Sequence, residues 1–390
     1  MIQVERIQNA LSEKEIDAVI ATSADNVFYM SGFRGPLEPK RCSMWVEGQN
    51  CPDMILPNGD TDLLITNQLE FGEIYSYGDY YYYEGGDLSN REKEILELNF
   101  KNNSSDAIEA LLDAITNLVG QGKTIALESR NLTEGETRLI EKKSKCKITA
   151  AEGIFSELRK IKSKMEVEML EKSVAITEAA IEYSSGQVKP GMTEKDLEKI
   201  YKKRLIESGA EPGFCLIGFG SHSAESCIPS EMALKKGDIV LYDVGCSYEG
   251  YASDIARTFL FEYSDSEIEM KYDVLKKGMD KEISLIKNGA CTSDIFRETM
   301  RYIREEGARR GIKNLSEFKR HHLGHGIGIS TYDDPLITLE KNEIEAGMVM
   351  CVEPPYYEIG VGGIQVEDEI VVTEKKVKRL SHAPDNMIIL

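Results

Sequence analysis

Apolar residues recur at three- and four-residue spacing through residues 2–14, predicting a helix, and give way to the short apolar run DAVIAT (17–22), predicting a strand. NVFYMSGF follows it. DLLIT (62–66) and TIALES (124–129) predict further buried strands. Between those two, DAIEALLDAITNL (106–118) carries apolar residues at helical spacing behind a Ser-Ser-Asp start, the pattern of a capped amphipathic helix. The first part of the chain therefore predicts a small α/β domain. Two stretches follow neither period: the loop GFRGPLEPKRCSMWVEGQN (32–50) and the tyrosine-rich YSYGDYYYYEGGDL (75–88). Surface loops, subunit contacts or a tyrosine strand packed on a helix all accommodate them.

A long charged helical pattern over 152–186 predicts one helix joining two halves, ended by Lys189-Pro190-Gly191. The boundary this implies lies near residue 155, giving domains 1–155 and 156–390. Thr193, followed three residues later by Asp196, opens another amphipathic helix as a capping box. Strand-like segments then dominate: FCLIGFG, DIVLYDVG, YASDIARTFLFE, MVMCVEPPYY and GGIQVEDEIVVT. Helices first and sheet after predicts an α+β arrangement.

The length of 390 residues also favours two domains. A net charge of -20 disfavours nucleic acid and anionic membranes as partners. The eight cysteines are scattered, with no CxxC pair, so reduced thiols are expected. The charged N-terminal segment lacks the apolar core of a signal peptide, and no run of about 18 apolar residues is available to span a bilayer. These features predict a soluble cytoplasmic protein.

Five potential metal ligands stand in chain order: Asp243 and Asp254 in DVGCSYEGYASD, His325 in HHLGHGIG, Glu353 in VEPPYY and Glu367 in GIQVEDE. Any one of 67 acidic residues is ordinarily a solvated or ion-paired group. Asp243, Glu353 and Glu367, however, sit within strand-like apolar sequence, where an unpaired charge is costly. The turn CSYEG lets an antiparallel pair bring Asp243 and Asp254 together, and GVGG separates Glu353 from Glu367 in the same way. Four carboxylates and an imidazole suit Mn, Co, Zn or Fe(II) better than a thiolate-seeking ion. Two such divalent cations sharing these ligands can generate a hydroxide near neutral pH and polarise a scissile carbonyl, which predicts a metallohydrolase.

The order of motifs resembles a known family. Asp243, Gly245, Gly250, Tyr251, Ser253, Asp254, Arg257 and Thr258 form one block, and His321, Gly324, His325, Gly326 and Gly328 a second. Glu353-Pro354 and Gly363-Ile364-x-x-Glu367-Asp368 form the third and fourth. Together they resemble the signature of the pita-bread metallopeptidases: prolidase, aminopeptidase P, methionine aminopeptidase and the related creatinase. Leu158–Ser163 before an acidic helix is similar to the prolidase and creatinase branch. The resemblance implies a C-terminal pita-bread domain of pseudo-twofold symmetry, an N-terminal ribonuclease-H-like α/β domain, and a homodimer. It also implies two metal ions, Mn foremost, held by Asp243, Asp254, His325, Glu353 and Glu367, with Asp254 and Glu367 bridging. Glu353 is then the general base, and a metal-bridging hydroxide cleaves the Xaa-Pro bond of dipeptides or short peptides.

Three departures from the pattern bear on substrate. Ser226 or Cys227 stands where proline-specific members carry a histidine before the first metal aspartate, and Tyr332 replaces a second histidine seven residues after the metal histidine. Gln365 replaces an arginine two residues before the last metal glutamate. Tyr332 can donate through its phenol, and His222 lies close enough in sequence to contribute from the same loop as the first replaced histidine. His321 is expected to contact substrate or to orient a carboxylate, whereas His322 and His382 carry no motif and are expected to be exposed or packed. The departures also open a second reading, a C–N hydrolase or lyase of a small non-peptide substrate. A binding module without catalysis is disfavoured because the ligand set is intact.

Overall fold

Strand Ala18–Ala21, buried along its whole length, is paired on both edges within a six-stranded sheet. In spatial order the strands are Ile74–Tyr77, Asp53–Pro57, Cys42–Val46, Ala18–Ala21, Thr124–Leu127 and Lys147–Ala150. Ala18–Ala21 runs antiparallel to Cys42–Val46 and parallel to Thr124–Leu127. Burial on both faces explains why its sequence shows a continuous apolar run rather than alternation. The computed structural model describes residues 4–35, 39–79, 82–225, 227–384 and 386–390. The chain divides into two compact units, Met1–Leu158 and Arg159–Leu390.

In the first unit, helix Ala107–Ala114 buries Ile108, Leu111 and Leu112 in the core, and Asp106 caps it by accepting from the amides of Ile108 and Glu109. The segment DLLIT is not a strand but part of the helix Thr61–Thr66. Only Thr61 and Leu64, three apart, are buried, so one helical face decided an apolar run too short to declare its own period. The strand belongs to the preceding Asp53–Pro57, buried throughout. The two unassigned stretches supply strands as well. Trp45 is fully buried in Cys42–Val46, and Tyr75 and Tyr77 are buried in Ile74–Tyr77. Within the tyrosine-rich stretch, Tyr80 and Tyr81 lie outside the described residues.

The pattern over 152–186 is two helices, Glu152–Lys160 and Lys164–Ser185, rather than one. Ser163 ends the continuity: its hydroxyl accepts from the Glu166 amide and its own amide donates to the Glu166 carboxylate, a capping box hidden inside a helical pattern. Helix Glu194–Glu207 opens with the reciprocal pair Thr193 and Asp196. Two five-stranded sheets and a two-stranded one, Tyr356–Glu358 with Gly362–Ile364, then build the second unit. One orders Ile388–Ile389, Ile255–Leu260, Ile239–Tyr248 and Glu211–Phe219, with Tyr251–Ala252 pairing on Ile239–Tyr248. The other orders Asp333–Leu336, Gly324–Gly326, Val349–Val352, Asp368–Val372 and Val377–Arg379. Helices Ser266–Leu285 and Thr292–Arg309 intervene in sequence, so the order is not simply helices before sheet.

The two sheets are stitched where the acidic motifs lie. The Glu367 amide donates to the Ala256 carbonyl at 3.1 Å, and Thr258 and Gln365 exchange hydrogen bonds at 2.7 and 2.9 Å. Arg257 donates to the Glu367 carbonyl and to Asp368. Close approach explains two of the motif glycines. A Cβ on Gly245 would stand 2.0 Å from the Ser253 carbonyl oxygen, and one on Gly324 2.2 Å from that of Cys351.

Candidate metal centre

Each predicted ligand is carried to the seam between the two sheets by a strand or by the residue flanking one. Asp243 lies mid-strand in Ile239–Tyr248, opposite Ala256 of Ile255–Leu260. Asp254 immediately precedes that second strand, and its amide is fixed by Glu369 at 2.8 Å. His325 is the middle residue of Gly324–Gly326, in register with Cys351. Val352 and Asp368 are paired across antiparallel strands, so Glu353 and Glu367, one residue beyond them, leave the same end of the sheet.

The side chains converge. One donor atom each from Asp254, His325, Cys351 and Glu367 lies within 4.8 Å of the others, all in buried positions. His325 Nε2 stands 3.5 Å from Asp254 Oδ2 and 3.7 Å from Glu353 Oε1. Asp243 is joined to the group electrostatically: burial raises its pKa, the facing Asp254 raises it further, and Gln365, His325 and Arg320 oppose the rise. Burial likewise raises Asp254, Glu353 and Glu367, and the mutual repulsion of the carboxylates adds to it for Glu353 and Glu367.

His325 is prepared as a neutral ligand. Its Nδ1 lies 2.9 Å from the Gly326 carbonyl, which can only accept, so Nδ1 carries the proton and Nε2 presents a lone pair. Burial lowers its pKa, although Glu353 pulls the other way. Among the described residues Asp254 Oδ1, His325 Nε2 and Glu367 Oε1 are buried without a hydrogen-bond partner, as is His322 Nδ1. Lone pairs converging without donors are what a divalent cation satisfies. Cys351, which the sequence did not single out, does not soften the donor set. Burial and then Glu367 push its thiol well above the usual range, keeping it protonated.

Around the cluster the structure sorts the remaining candidates. Gln365 is buried and donates through Nε2 to Glu353 Oε2 at 3.2 Å and Glu367 Oε2 at 3.3 Å, while its Oε1 accepts from the Tyr357 hydroxyl at 2.8 Å. The Tyr332 ring stacks on His325, with centroids 3.8 Å apart and planes 17° apart, yet Tyr332 remains 56% exposed. Its phenol is raised by burial and then by Glu353 and its fellow carboxylates, so it stays a donor. His222 is tied at 2.7 Å to the fully buried Glu194, which also accepts from the amides of Phe219 and Ser230.

Three expectations need correction or limits. His322, to which the sequence gave no role, is buried with Nδ1 3.5 Å from Glu353 Oε1, whereas the favoured His321 is exposed beside it. Residues 320–322 lie between a short helix and a strand, where no period predicts which neighbour turns inward. Burial lowers the His322 pKa to about 4, with His321 and His325 contributing, so this imidazole is neutral. Cys227 is buried and its thiol lies 2.8 Å from the Ser223 carbonyl, while Ser226 lies outside the described residues. His382 is held through its backbone amide by Glu178.

All eight cysteines are free, and among the described residues no helix is long and apolar enough to cross a membrane. Comparison with known proteins shows the family and the fold. The chain is 28% identical over 378 residues, 96% of its length and 97% of the relative's, to an uncharacterized peptidase of Staphylococcus saprophyticus. Its fold is similar to an Xaa-Pro dipeptidase from Bacillus anthracis, with a TM-score of 0.80, 23% identity and 99% of each chain covered. It is similar also to an X-Pro aminopeptidase from Thermotoga maritima, with a TM-score of 0.78, 22% identity and 100% of each chain covered. The creatinase/prolidase N-terminal domain profile matches residues 3–161 and that of metallopeptidase family M24 residues 168–374. This pita-bread chain, its buried acidic cluster lying within the second of those matches, belongs to metallopeptidase family M24 and is a metallopeptidase-like hydrolase.

Proposed function

We propose that this protein cleaves the Xaa-Pro bond of dipeptides or short peptides, with Asp243, Asp254, His325, Glu353 and Glu367 holding two divalent cations, Mn foremost. The observation that carries the proposal is the convergence of three partnerless buried donor atoms, Asp254 Oδ1, His325 Nε2 and Glu367 Oε1, within a set of hard ligands. When bound, the cations supply Lewis-acid polarisation of the scissile carbonyl and lower the pKa of water.

The chain's own groups do the rest. Glu353 is the general base: Gln365 fixes Oε2, while Oε1, with His322 and His325 at 3.5 and 3.7 Å, takes a proton from the attacking water and delivers it to the leaving nitrogen. Tyr332 donates to the oxygen that gains charge when the carbonyl becomes tetrahedral. His222, oriented by Glu194, and Gln365 shape the substrate side of the cleft.

A second reading, a C–N hydrolase or lyase of a small non-peptide substrate, draws on one observation. Ser226 or Cys227 replaces an imidazole expected of proline-specific relatives, and the Cys227 thiol is spent on a backbone carbonyl. The deciding experiment is hydrolysis of matched Xaa-Pro and Xaa-non-Pro peptides by protein reloaded with Mn(II), with Asp254→Asn as the control. Cleavage confined to Xaa-Pro bonds and lost in the control is expected. No cleavage by a sample with measured bound metal sinks the peptidase reading and leaves the second.

A further inference from the structure

Arg320 stands between helix Lys313–Ser316 and strand Gly324–Gly326 with its guanidinium carbon 5.6 Å from the centroid of the Tyr357 ring. Among the described residues it makes no ion pair and no hydrogen bond, and its Nε is buried without a partner. The buried Nε of Arg257 also lacks a partner, but the terminal nitrogens of Arg257, like that of Lys271, are engaged. Arg257 is spent on Asp368 and on the carbonyls of Ala256 and Glu367, and Lys271 on Glu267 and Glu358. A guanidinium brought partly out of water and left unpaired costs free energy unless a ligand completes it.

Its placement relative to the reacting groups is fixed by a relay. Glu353 and Glu367 accept from Gln365, Gln365 accepts from the Tyr357 hydroxyl, and the Tyr357 ring carries Arg320. Arg320 is close enough that its charge lowers the proton affinities of Asp243 and Glu353. Gln365 stands where the resemblance places an arginine, but its amide is fully used inside the relay and has nothing left to offer an anion. Tyr357 is 40% exposed, so the stacked pair is open to solvent.

We propose that Arg320 is the receptor for a substrate carboxylate, pairing in bidentate fashion with the free C-terminal carboxylate of the residue on the leaving side of the scissile bond. The preferred substrates are then dipeptides rather than longer peptides. A planar fork held on an aromatic face is the side chain best suited to a carboxylate, and a lysine does not reproduce it. This deepens the peptidase reading and rests on it for the identity of the substrate, but the carboxylate site itself is testable without turnover.

The test compares metal-loaded wild type, Arg320→Ala and Arg320→Lys in two assays. The first measures equilibrium binding of N-acetylproline and N-acetylprolinamide. The acid is expected to bind wild type more tightly than the amide, and Arg320→Ala to erase that preference, losing on the order of 10- to 100-fold for the acid alone. The second measures KM and kcat for an Xaa-Pro dipeptide and its C-terminal amide. Arg320→Ala is expected to raise KM for the dipeptide by a similar factor with kcat largely kept, to leave the amide unchanged, and to be only partly repaired in Arg320→Lys. Equal loss for acid and amide, or an acid preference that survives in Arg320→Ala, overturns the proposal. Absence of any peptide turnover by wild type, with the acid preference present and dependent on Arg320, defeats the peptidase reading while upholding the carboxylate site.

Discussion

Two buried sets of carboxylates in this protein are built on opposite rules. In the first unit Glu128, 1% exposed, follows the strand Thr124–Leu127, and both of its carboxylate oxygens are met by donors. Oε2 accepts from the amides of Thr22 and Ser23 at 2.8 Å each, and Oε1 from the Asn26 side chain at 2.8 Å. This charge closes the turn from strand Ala18–Ala21 into helix Ala24–Ser31. In the second unit Asp254 and Glu367 are as deeply buried, yet each keeps an oxygen without any donor while other carboxylates face it. A satisfied buried charge is structure; repelling lone pairs without donors are a free-energy cost retained for a ligand.

That contrast is broken most sharply by substituting Asp254. Asp254→Asn removes one of the proposed ligands and is expected to lower the rate of peptide hydrolysis on the order of 10³-fold, the equivalent of several kcal/mol of lost electrostatic stabilisation. Bound metal, read by elemental analysis after gel filtration, should fall with it. The metal-free protein, by contrast, should unfold at no lower denaturant concentration than wild type, because a repulsive group has been neutralised. A large loss of metal-free stability would show that Asp254 is structural and that the contrast fails.

Glu128→Ala asks the converse question. It leaves the amides of Thr22 and Ser23 buried without acceptors, each costing about 1–3 kcal/mol. An overall loss of about 3–5 kcal/mol is expected, as for other broken buried charge networks. It should show in urea unfolding followed by the fluorescence of Trp45, which lies in the same unit. Metal content per folded molecule should not change. A variant that unfolds like wild type would mean that this carboxylate too is only tolerated.

The sequence revealed these two sites unequally, for physical reasons. The convergence of Asp243, Asp254, His325, Glu353 and Glu367 was legible because short strands and tight turns hold each beside the glycines and apolar residues that place it, so local sequence carries the geometry. Thr193 with Asp196 was legible on the same ground. Glu128 was not, since its partners lie more than 100 residues away and nothing local distinguishes it from other glutamates. The Arg320–Tyr357–Gln365 relay was hidden for a different reason, since its links are shorter in sequence but turn on side-chain direction, which no periodicity encodes. His321 and His322 were hard to rank because their segment has no period, and DLLIT was misread because a five-residue segment with three apolar residues satisfies helix and strand alike. Ser163 broke a helix whose charge pattern ran on, since a capping box is compatible with the helical spacing on either side.

A smaller effect separates the two rules by pH. Burial raises the pKa of Asp243, Asp254 and Glu353 to about 8 in the metal-free protein, and raises Glu367 and Glu282 as well. Groups whose folded pKa exceeds the unfolded value bind more protons when folded. Their stabilising contribution is therefore complete below the unfolded carboxylate pKa, about 4, and is lost as pH rises through the folded values. Metal-free protein is expected to melt at progressively lower temperature from about pH 5 to about pH 8. Added Mn(II) competes with those protons, so its stabilisation should grow over the same interval. Thermal melts in chelator and in Mn(II) across that range check both slopes, and a metal-free melting temperature that rises with pH contradicts the assignment of repulsion.

Glu282 gives the finest test, because it is buried without donors but is not one of the converging ligands. It lies on helix Ser266–Leu285, is 0% exposed, and neither carboxyl oxygen has a hydrogen-bond partner. Burial raises its pKa well above the ordinary value, with Glu353 adding to the rise. If its cost is that of charge alone, Glu282→Gln exchanges one neutral group for another of the same shape. Stability near pH 5 should then change by less than about 1 kcal/mol, within the range of near-isosteric replacements. Toward pH 9 the variant should gain on wild type, since it cannot be forced to ionise. Urea midpoints at both pH values decide the matter. A large loss at pH 5 would mean that Glu282 has a donor or an ion requiring its carboxylate, and would move it from the tolerated charges to the satisfied ones represented by Glu128.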